Sequence, residues 1–468
     1  MAKLYIFGIG GTGARVLRSL TMMLASGVQL GQDEIVPIFI DPDESNADLS
    51  RTVDLMNLYS RIRQNLTFAS SNNNKFFRTS INQELPGFRL QIKDTDDKSF
   101  QKFMDVSTMS RENQAMVKLL FSEKNLKSKM DVGFKGNPNI GSVVLNQIVN
   151  SDDFDTFANG FSAGDKIFII SSIFGGTGAS GFPLLLKTLR TGNSFPNFQT
   201  INDAEIGAVT ILPYFKLKPS DESEIDSSTF ISKTKSALAY YEDNISKNNQ
   251  INALYYLGDD VQNVYENYEG GVEQKNDAHL IEFLAATAIV DFSKNSYPTT
   301  VNKELGIKKE EGDAVSFTSF YEGITEMVRC PLTQFVLMSN CFEHSWNTIS
   351  TSELAANGKV SGFNEDLYRS QFVSGLKDFQ ARFLAWLTEM KNNKRSLDLF
   401  NLNCGDKPFD VVTNVTPRKV KSLKSNYSLF IDRINGQVGK LGSKDVNDKL
   451  LEVYYLATKQ LAKEKFDF

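Results

Sequence analysis

The hydrophobic residues of this chain form short apolar runs, and several of these runs lead into segments where apolar residues recur at helical spacing. Each of five runs is typical of a buried strand: residues 3–7, 35–40, 166–172, 205–212 and 253–257. The helical spacing is clearest at residues 14–20, 184–189 and 277–293. Strands that alternate with helices predict an α/β fold, in which a mostly parallel sheet carries helices on both faces.

Three glycine-rich loops each precede a predicted helix. The first reads Gly8-Ile-Gly-Gly-Thr-Gly13, and the second reads Gly175-Gly-Thr-Gly178 and is followed by Pro183. A third loop, at residues 132–141, contains Gly136-Asn-Pro138. Glycines let backbone N–H groups approach an anion, and the positive end of the helix dipole favours negative charge there. The loops therefore predict helix starts that converge on one polyphosphate. The predicted phosphate-binding residues are Gly10, Gly11, Thr12, Gly13, Gly136, Asn137, Gly175, Gly176, Thr177 and Gly178.

The first loop alone permits a different interpretation. It matches the dinucleotide-binding fingerprint, and Asp41 follows the strand at residues 35–40, where that fingerprint expects an acidic ribose-binding residue. A nicotinamide- or flavin-dependent Rossmann oxidoreductase would explain both features. It would leave the other two loops without a role.

Taken together, the loops resemble those of the tubulin/FtsZ superfamily. The matching segments are Gly8–Gly13 for the first phosphate loop, residues 40–49 for the second, Gly136-Asn-Pro138 with Gly141 for the γ-phosphate loop, and residues 175–183 for the tubulin signature. The resemblance covers about residues 1–295 and indicates a divergent prokaryotic tubulin-like protein. It implies a Rossmann-like domain at residues 1–293 that binds GTP or GDP. It also implies head-to-tail self-association into filaments or oligomers.

The resemblance implies further site residues. Asp259, Asn276 and Asp277 would contact the ribose or the base, and a carboxylate suits guanine because it accepts hydrogen bonds from N1–H and N2–H₂ together. Asp41 and Asp43 would hold Mg²⁺ through water, since Mg²⁺ favours one or two carboxylates plus phosphates.

Two further expectations concern the surroundings of the base. The ribose-side loop of the superfamily corresponds to residues 218–228. The central helix, at about residues 277–293, is predicted to begin with Asn276 or Asp277 as its N-cap. His279 is predicted to be a packed or hydrogen-bonded structural residue rather than a catalyst.

The expected catalytic motif is where this chain departs from the superfamily. In the superfamily, a loop after the central helix inserts acidic residues into the neighbouring subunit's site and positions the attacking water. Here that motif is absent in its usual form after Phe292, and the nearest candidates are Asn302 and Glu304, with Asp291 as another. The sequence leaves open whether the chain is a GTPase. An alternative is a nucleotide-bound scaffold of a multi-protein system that does not hydrolyse GTP.

Residues 294–468 are predicted to form a divergent, helix-rich α+β domain. Strands are expected at residues 314–320 and 409–415, and helices at residues 365–392 and 445–465.

Composition narrows the classes of function. The 468 residues carry a formal net charge of -5, which gives no electrostatic case for nucleic-acid binding. Three cysteines and two histidines suggest neither a disulfide framework nor a Cys/His metal site, which suits a reducing cytoplasm. No apolar run reaches the length of a membrane span, so membrane insertion is not expected. Protein partners other than a second copy stay unidentified.

Overall fold

The computed structural model describes most of the chain. The described residues are 2–95, 97–130, 133–134, 136–218, 230–259, 263–265, 271–273, 275–308, 314–351, 359–419 and 426–468. The predicted ribose-side loop at residues 218–228 therefore lies outside the described residues, apart from Lys218.

A parallel sheet forms the centre of the molecule. The strands are β1 (Lys3–Ile9), β2 (Glu34–Ile40), β3 (Ser80–Ile81), β4 (Lys166–Ser172), β5 (Glu205–Ile211), β6 (Phe215–Leu217), β7 (Ala253–Leu257), β8 (Asn263–Tyr265) and β9 (Val301–Glu304). Seven of them form one sheet in the order β3-β2-β1-β4-β5-β7-β9, with every pair parallel, while β6 pairs with β8. The strands are continuously apolar because both faces of the sheet are buried. The predicted α/β fold is confirmed.

Helices make up most of the remaining structure. They are α1 (Gly10–Ala25), α2 (Ala47–Gln64), α3 (Phe100–Phe103), α4 (Arg111–Leu120), α5 (Glu123–Lys127), α6 (Pro138–Leu145), α7 (Asp152–Gly160), α8 (Gly176–Thr191), α9 (Phe198–Asn202), α10 (Phe230–Tyr241), α11 (Leu280–Lys294), α12 (Glu322–Thr351), α13 (Glu365–Tyr368), α14 (Gln371–Asn392), α15 (Tyr427–Gln437) and α16 (Val446–Phe466). The central helix predicted at about residues 277–293 is α11. Among the residues that the structure describes, no helix is long and apolar enough to cross a bilayer.

Helices cover both faces of the sheet, and C-terminal helices pack against helices of the first face. Successive residues of a strand point to opposite faces. On β1, Gly8 lies against Leu17 of α1, and the next residue, Ile9, lies against Gly181 of α8. Helix α1 packs between α2 and α11 on the first face, whereas α8 packs against α6 on the second. The two glycine-loop helices α1 and α8 thus leave the sheet on opposite sides.

The C-terminal part is helical, as predicted, but its expected strands are wrong. Helix α12 packs against α14 and α16, and α14 also contacts α2. The segment at residues 314–320 contains a short 3₁₀ helix at Phe317–Ser319, and both segments pair with other strands only through isolated bridges. The physical reason is their packing, because Phe317 lies edge-on to Phe400 and Phe468, and Phe409 lies beneath the ammonium of Lys465. Strand β9 follows residue 293 and belongs to the main sheet, which continues into the segment assigned above to the second domain.

The close approach of α1 to β1 generates a stability prediction. A β-carbon on Gly13 would lie 2.4 Å from the carbonyl carbon of Gly8, so Gly13→Ala must push the helix away from the strand. We expect the free energy of unfolding to fall by about 1–3 kcal/mol, which is typical of overpacking. Urea denaturation measures this change.

Gly436→Ala is the matched control, because Gly436 also lies within a helix but has no atom within 4 Å of an added β-carbon. This control should gain up to about 1 kcal/mol from helix propensity. Equal effects of the two substitutions would contradict the assigned contact.

Candidate functional site

The first and second glycine loops meet at the centre of the sheet. Strands β1 and β4 are neighbours, with Gly8 beside Ile170, and each strand leads directly into a glycine loop at its carboxyl end. Strands β2 and β3 extend the sheet on one side of β1, whereas β5, β7 and β9 extend it in the opposite direction from β4. The direction in which strands are added therefore reverses between β1 and β4. Ligands of doubly wound α/β proteins bind in the crevice at such a switch point.

The helix starts in this crevice lack side-chain caps, as do the short helices α3 and α9, whereas many other helices have them. Side chains cap α2, α4, α7, α14, α15 and α16, through Asn46, Ser110, Ser151, Ser370, Asn426 and Asp445. Helices α1, α6 and α8 have neither a side-chain cap nor an acidic residue in the first turn. Their first backbone N–H groups therefore have no partner within the helix, and such groups bind anions.

The three loops are in contact with one another. A β-carbon on Gly10 would lie 3.6 Å from Cβ of Thr177, and one on Gly133 would lie 4.0 Å from the Thr177 hydroxyl. Gly176 packs so closely on the third loop that its β-carbon would lie 3.0 Å from the Gly136 nitrogen. Gly10 and Gly136 have φ values of 70° and 71°, in the region that favours glycine. The geometry thus brings together the predicted loops and their three helix starts.

One predicted donor of the third loop already has a partner. The N–H of Asn137 donates to the carbonyl oxygen of Phe134 at 2.7 Å, and Pro138 has no N–H group. The next donors of α6 belong to Asn139 and Ile140. Lys233 adds positive charge here, because its ammonium donates to the Gly136 carbonyl oxygen at 2.9 Å.

The segment after β2 borders the first loop. The side-chain amide nitrogen of Asn46 (Nδ2) would lie 3.3 Å from a β-carbon on Gly11. Asp43 is buried, and its two oxygens accept from the N–H groups of Ser45 and Gly271. Burial, followed by the Asp43 and Asp48 charges, raises the pKa of Asp41 to about 7, against the opposing effects of the Asp43 N–H and Arg89.

The two carboxylates expected to hold Mg²⁺ therefore differ in their surroundings. Asp41 accepts one hydrogen bond, from the Asp43 N–H. A single carboxylate together with phosphate oxygens is a donor set that Mg²⁺ accepts. Asp41 fits that role better than Asp43, whose oxygens both serve to fix neighbouring loops.

A buried ion-pair network lies directly behind the first loop. The guanidinium of Arg15 donates to Glu282 at 2.5 Å, to Asp48 at 2.8 Å and to the Tyr214 hydroxyl at 3.0 Å. Arg15, Asp48 and Glu282 are all less than 5% exposed. Burial acts to lower the pKa of Arg15, but Tyr214, Glu282 and Asp48 together hold that pKa well above its ordinary value.

The residues predicted to contact the ribose or base have partners within the protein. Asn276 donates from both nitrogens to the Asp48 carboxylate, and its carbonyl oxygen accepts from Arg51. Asp259 forms an ion pair with Arg395 at 3.3 Å. Asp277 is exposed. Their contact with a nucleotide stays a prediction.

The N-cap of the central helix is His279, so the predicted Asn276 or Asp277 cap is wrong. The Nδ1 atom of His279 accepts from the Ile281 N–H, and the Glu282 carboxylate accepts from the His279 N–H. This reciprocal arrangement satisfies two groups that a helix start would otherwise leave unpaired. Burial, followed by the charges of Arg15 and Arg395, lowers the pKa of His279 to about 3. His279 is a neutral structural residue, as predicted.

The loop after the central helix lies at the opposite edge of the sheet, where the strands begin. Its Asn295 carbonyl oxygen accepts from Lys166 at the start of β4, and its Tyr297 N–H donates to Glu205 at the start of β5. The two predicted catalytic residues lie beyond this loop, in β9. The Asn302 side chain accepts from Ser246, and Glu304 is exposed.

Asp291, the third candidate, has several partners at this edge. Its carboxylate accepts from Lys303 and from the Tyr255 hydroxyl, both at 2.6 Å, and from the Tyr297 hydroxyl at 2.9 Å. Burial acts to raise the pKa of Asp291, but these three donors outweigh it and hold the pKa below its ordinary value.

Sequence reasoning missed Arg15, Asn46, Tyr214 and Glu282. A signal was present for two of them, because Arg15 and Glu282 interrupt apolar helical patterns, and a charge at such a position indicates a buried pair. Asn46 and Tyr214 lie in connections, where no periodicity marks them.

The buried cap generates a prediction about pH. The unfolded chain protonates His279 near pH 6.5, whereas the folded chain does so only near pH 3. Stability is therefore lost as pH falls through this window. His279→Asn keeps a capping side chain but removes the imidazole that titrates in this window. The slope of its free energy of unfolding against pH should be smaller than that of the wild type, by about 1.4 kcal/mol per pH unit between pH 6 and 4.

Denaturant unfolding at several pH values measures this slope. His344 is exposed and is the second of the two histidines, so His344→Asn is the matched control and should keep the wild-type slope. Equal slopes for His279→Asn and the wild type would refute the assignment.

Comparisons with known proteins give a partial structural match. No family model and no curated protein matches the chain. Among solved structures, the chain is similar to CetZ2 from Haloferax volcanii, in a GTPγS-bound protofilament, with 15% sequence identity and a TM-score of 0.30. That match covers 63% of this chain and 58% of the CetZ2 chain.

Proposed function

We propose that this protein binds GTP or GDP through its three glycine loops and assembles head to tail. The observation that carries the proposal is the convergence of the uncapped starts of α1, α6 and α8 at the β1–β4 switch point. Three helix dipoles and their unpaired N–H groups suit a polyphosphate better than the single pyrophosphate of a dinucleotide. The resemblance of the loops to the tubulin/FtsZ superfamily supports guanine as the base.

The proposed mechanism of binding uses the backbone more than side chains. Phosphate oxygens would accept from N–H groups at residues 10–13 and 176–178, and the Thr12 and Thr177 hydroxyls would add hydrogen bonds. Mg²⁺, held by Asp41, would neutralise part of the phosphate charge. The Arg15 network keeps α1 in position during binding but does not itself contact phosphate.

The two edges of the sheet support head-to-tail contact. The glycine loops lie at the carboxyl edge, and the loop at residues 295–300 lies at the amino edge. Contact between the two edges in successive copies would be heterologous, because each copy contributes a different surface. Such contacts form open filaments unless a rotation closes them into a ring.

The central test places a negative charge among the phosphates. Thr177 is the second residue of α8, so Thr177→Asp adds a carboxylate to the first turn, where the helix dipole favours it. We expect the fold to be retained. Repulsion between charges about 4 Å apart is worth about 4 kcal/mol near a protein surface, so GTP affinity should fall on the order of 100-fold or more. Titration with a fluorescent GTP analogue measures this affinity.

Thr177→Asn is the matched control, because it has the size of aspartate without the charge, and it should weaken binding much less. Wild-type protein that shows no saturable binding of GTP or GDP would refute the proposal. A visible absorbance spectrum, or a nicotinamide or flavin released on denaturation, would instead establish the oxidoreductase.

The residues at the amino edge of the sheet favour a second form of the function, in which the nucleotide is bound but not hydrolysed. The loop at residues 295–300 contains no carboxylate. The nearby carboxylates of Asp291 and Glu205 pair with Lys303 and Lys166. Paired carboxylates are poorly placed to orient a water in a neighbouring copy. The protein would then serve as a nucleotide-bound scaffold, and Asn302 and Glu304 stay the predicted candidates for any hydrolysis.

Phosphate release decides between the two forms. For the scaffold, release from GTP should stay at background as protein concentration rises, and Glu304→Gln should change nothing. Release that rises with protein concentration and falls at least about tenfold in Glu304→Gln would establish hydrolysis completed between copies. Glu322→Gln is the control, because Glu322 is an exposed glutamate at the start of α12.

A further inference from the structure

Residues 98–130 form a basic lobe at the carboxyl edge of the sheet. The chain enters this region beside the end of β2, where the Leu90 N–H donates to the Phe39 carbonyl oxygen at 2.9 Å. It returns at the third glycine loop, where a β-carbon on Gly133 would lie 4.0 Å from the Thr177 hydroxyl. The lobe has seven Lys or Arg residues and three Asp or Glu residues, although the whole chain has a formal net charge of -5. Positive charge is therefore concentrated at this edge.

Helix α4 of the basic lobe carries an apolar ridge, which consists of Met116, Leu119 and Leu120. These side chains are 56%, 82% and 64% exposed. Their spacing of three and four residues places them on one side of the helix. Helix α4 lies wholly within the described residues, and none of its residues is buried. Neighbouring apolar side chains that are left exposed in this way mark a surface that contacts another molecule.

A groove lies at the amino edge of the sheet, opposite the basic lobe. It has a volume of about 450 Å³ and lies beside Lys166 and Glu205, the first residues of β4 and β5. Asp165 and Asp203 also line it, so its carboxylates outnumber its ammonium groups. Phe161 and two alanines supply an apolar part of its wall. The groove is therefore acidic and partly apolar, whereas the lobe is basic and carries an apolar ridge.

The groove and the base of the basic lobe lie at opposite ends of α7, on one face of the sheet. Near the start of α7, the Asp153 carboxylate accepts from the Gln91 N–H, in the segment that leads into the lobe. Just after the end of α7, Phe161 packs on Tyr5 of β1. Tyr5 points to the same face as Ile9, which contacts α8. A second copy displaced along the strands would therefore bring the lobe of one copy to the groove of the other.

We propose that the apolar ridge of one copy docks in the groove of the next, so that the partner is a second copy of this chain. The ridge would be removed from water, and the lysines of the lobe would approach the carboxylates of the groove. Opposite charges on the two edges favour this occupant over an unrelated protein. The contact is heterologous, because each copy contributes a different surface. The inference rests on the head-to-tail assembly proposed above, and it names the surfaces that hold successive copies together.

Two variants of the full chain, each with one surface disrupted, test this contact. Leu119→Glu places a charge in the ridge, and the fold should be retained because the Leu119 side chain is exposed. Asp203→Lys reverses a charge in the groove. Asp203 is the exposed C-cap of α9, where the helix dipole favours a cation. With GTP present, each variant alone should need at least about tenfold more protein to assemble than the wild type does. Sedimentation velocity measures this assembly.

An equimolar mixture of the two variants gives a result that only a heterologous contact predicts. Leu119→Glu keeps an intact groove and Asp203→Lys keeps an intact ridge, so the mixture should form a dimer and nothing larger. Leu119→Met and Asp203→Glu are the matched controls, because they keep the apolar surface and the charge. Each control should assemble like the wild type. Both disrupted variants should bind a fluorescent GTP analogue with the affinity of the wild type.

Failure of this contact is distinguishable from failure of the proposed function. If Leu119→Glu or Asp203→Lys assembles like the wild type, the contact is overturned while head-to-tail assembly stands, and the ridge serves another partner. A mixture that stays monomeric or forms long assemblies overturns the contact as well. So does a loss of GTP affinity in either variant, because the defect in assembly would then come from the nucleotide site. Wild-type protein that binds GTP but stays monomeric would overturn the proposed assembly and this contact together.

Discussion

The buried guanidinium of Arg15 is the interaction on which the candidate site depends. It lies one turn into α1, behind the first glycine loop, and it joins Asp48 of α2, Glu282 of α11 and Tyr214 after β5. A buried charge is tolerated only when it is fully paired, and removal of one partner typically costs about 3–5 kcal/mol. The position of α1 relative to three other elements is therefore fixed by chemistry that allows little adjustment.

The next turn of α1 extends this connection to the C-terminal part. Arg18 binds the Glu389 carboxylate of α14 with two hydrogen bonds, at 2.6 and 2.8 Å. Glu389 also accepts from the Ala278 N–H, just before the central helix begins. One face of α1 thus contacts the central helix and the C-terminal helices while its start faces the crevice.

These contacts explain how far the sequence could predict the structure. The strands, glycine loops and central helix follow from local spacing, because apolar runs and turn residues act within a few positions. The cap of the central helix did not follow, because His279 depends on Glu282 and a buried site for its ring. The strands expected at residues 314–320 and 409–415 failed for a related reason, since their apolar residues pack against distant aromatic and helical partners. Ion pairs such as Arg15–Glu282 join residues far apart in the chain. The local pattern can mark each buried charge, but it does not specify which charge pairs with which.

The two edges of the sheet differ in a way that bears on function. At the carboxyl edge, three helices begin without a side chain that caps their first N–H groups. Violations of this kind are expected at functional sites. At the amino edge, the charged groups have partners. Asp291 pairs with Lys303 and accepts from the Tyr297 hydroxyl, and Glu205 pairs with Lys166 and accepts from the Tyr297 N–H. Unsatisfied donors provide a reason to bind an anion, whereas satisfied carboxylates provide little reason to activate water. The geometry therefore supports nucleotide binding more strongly than hydrolysis.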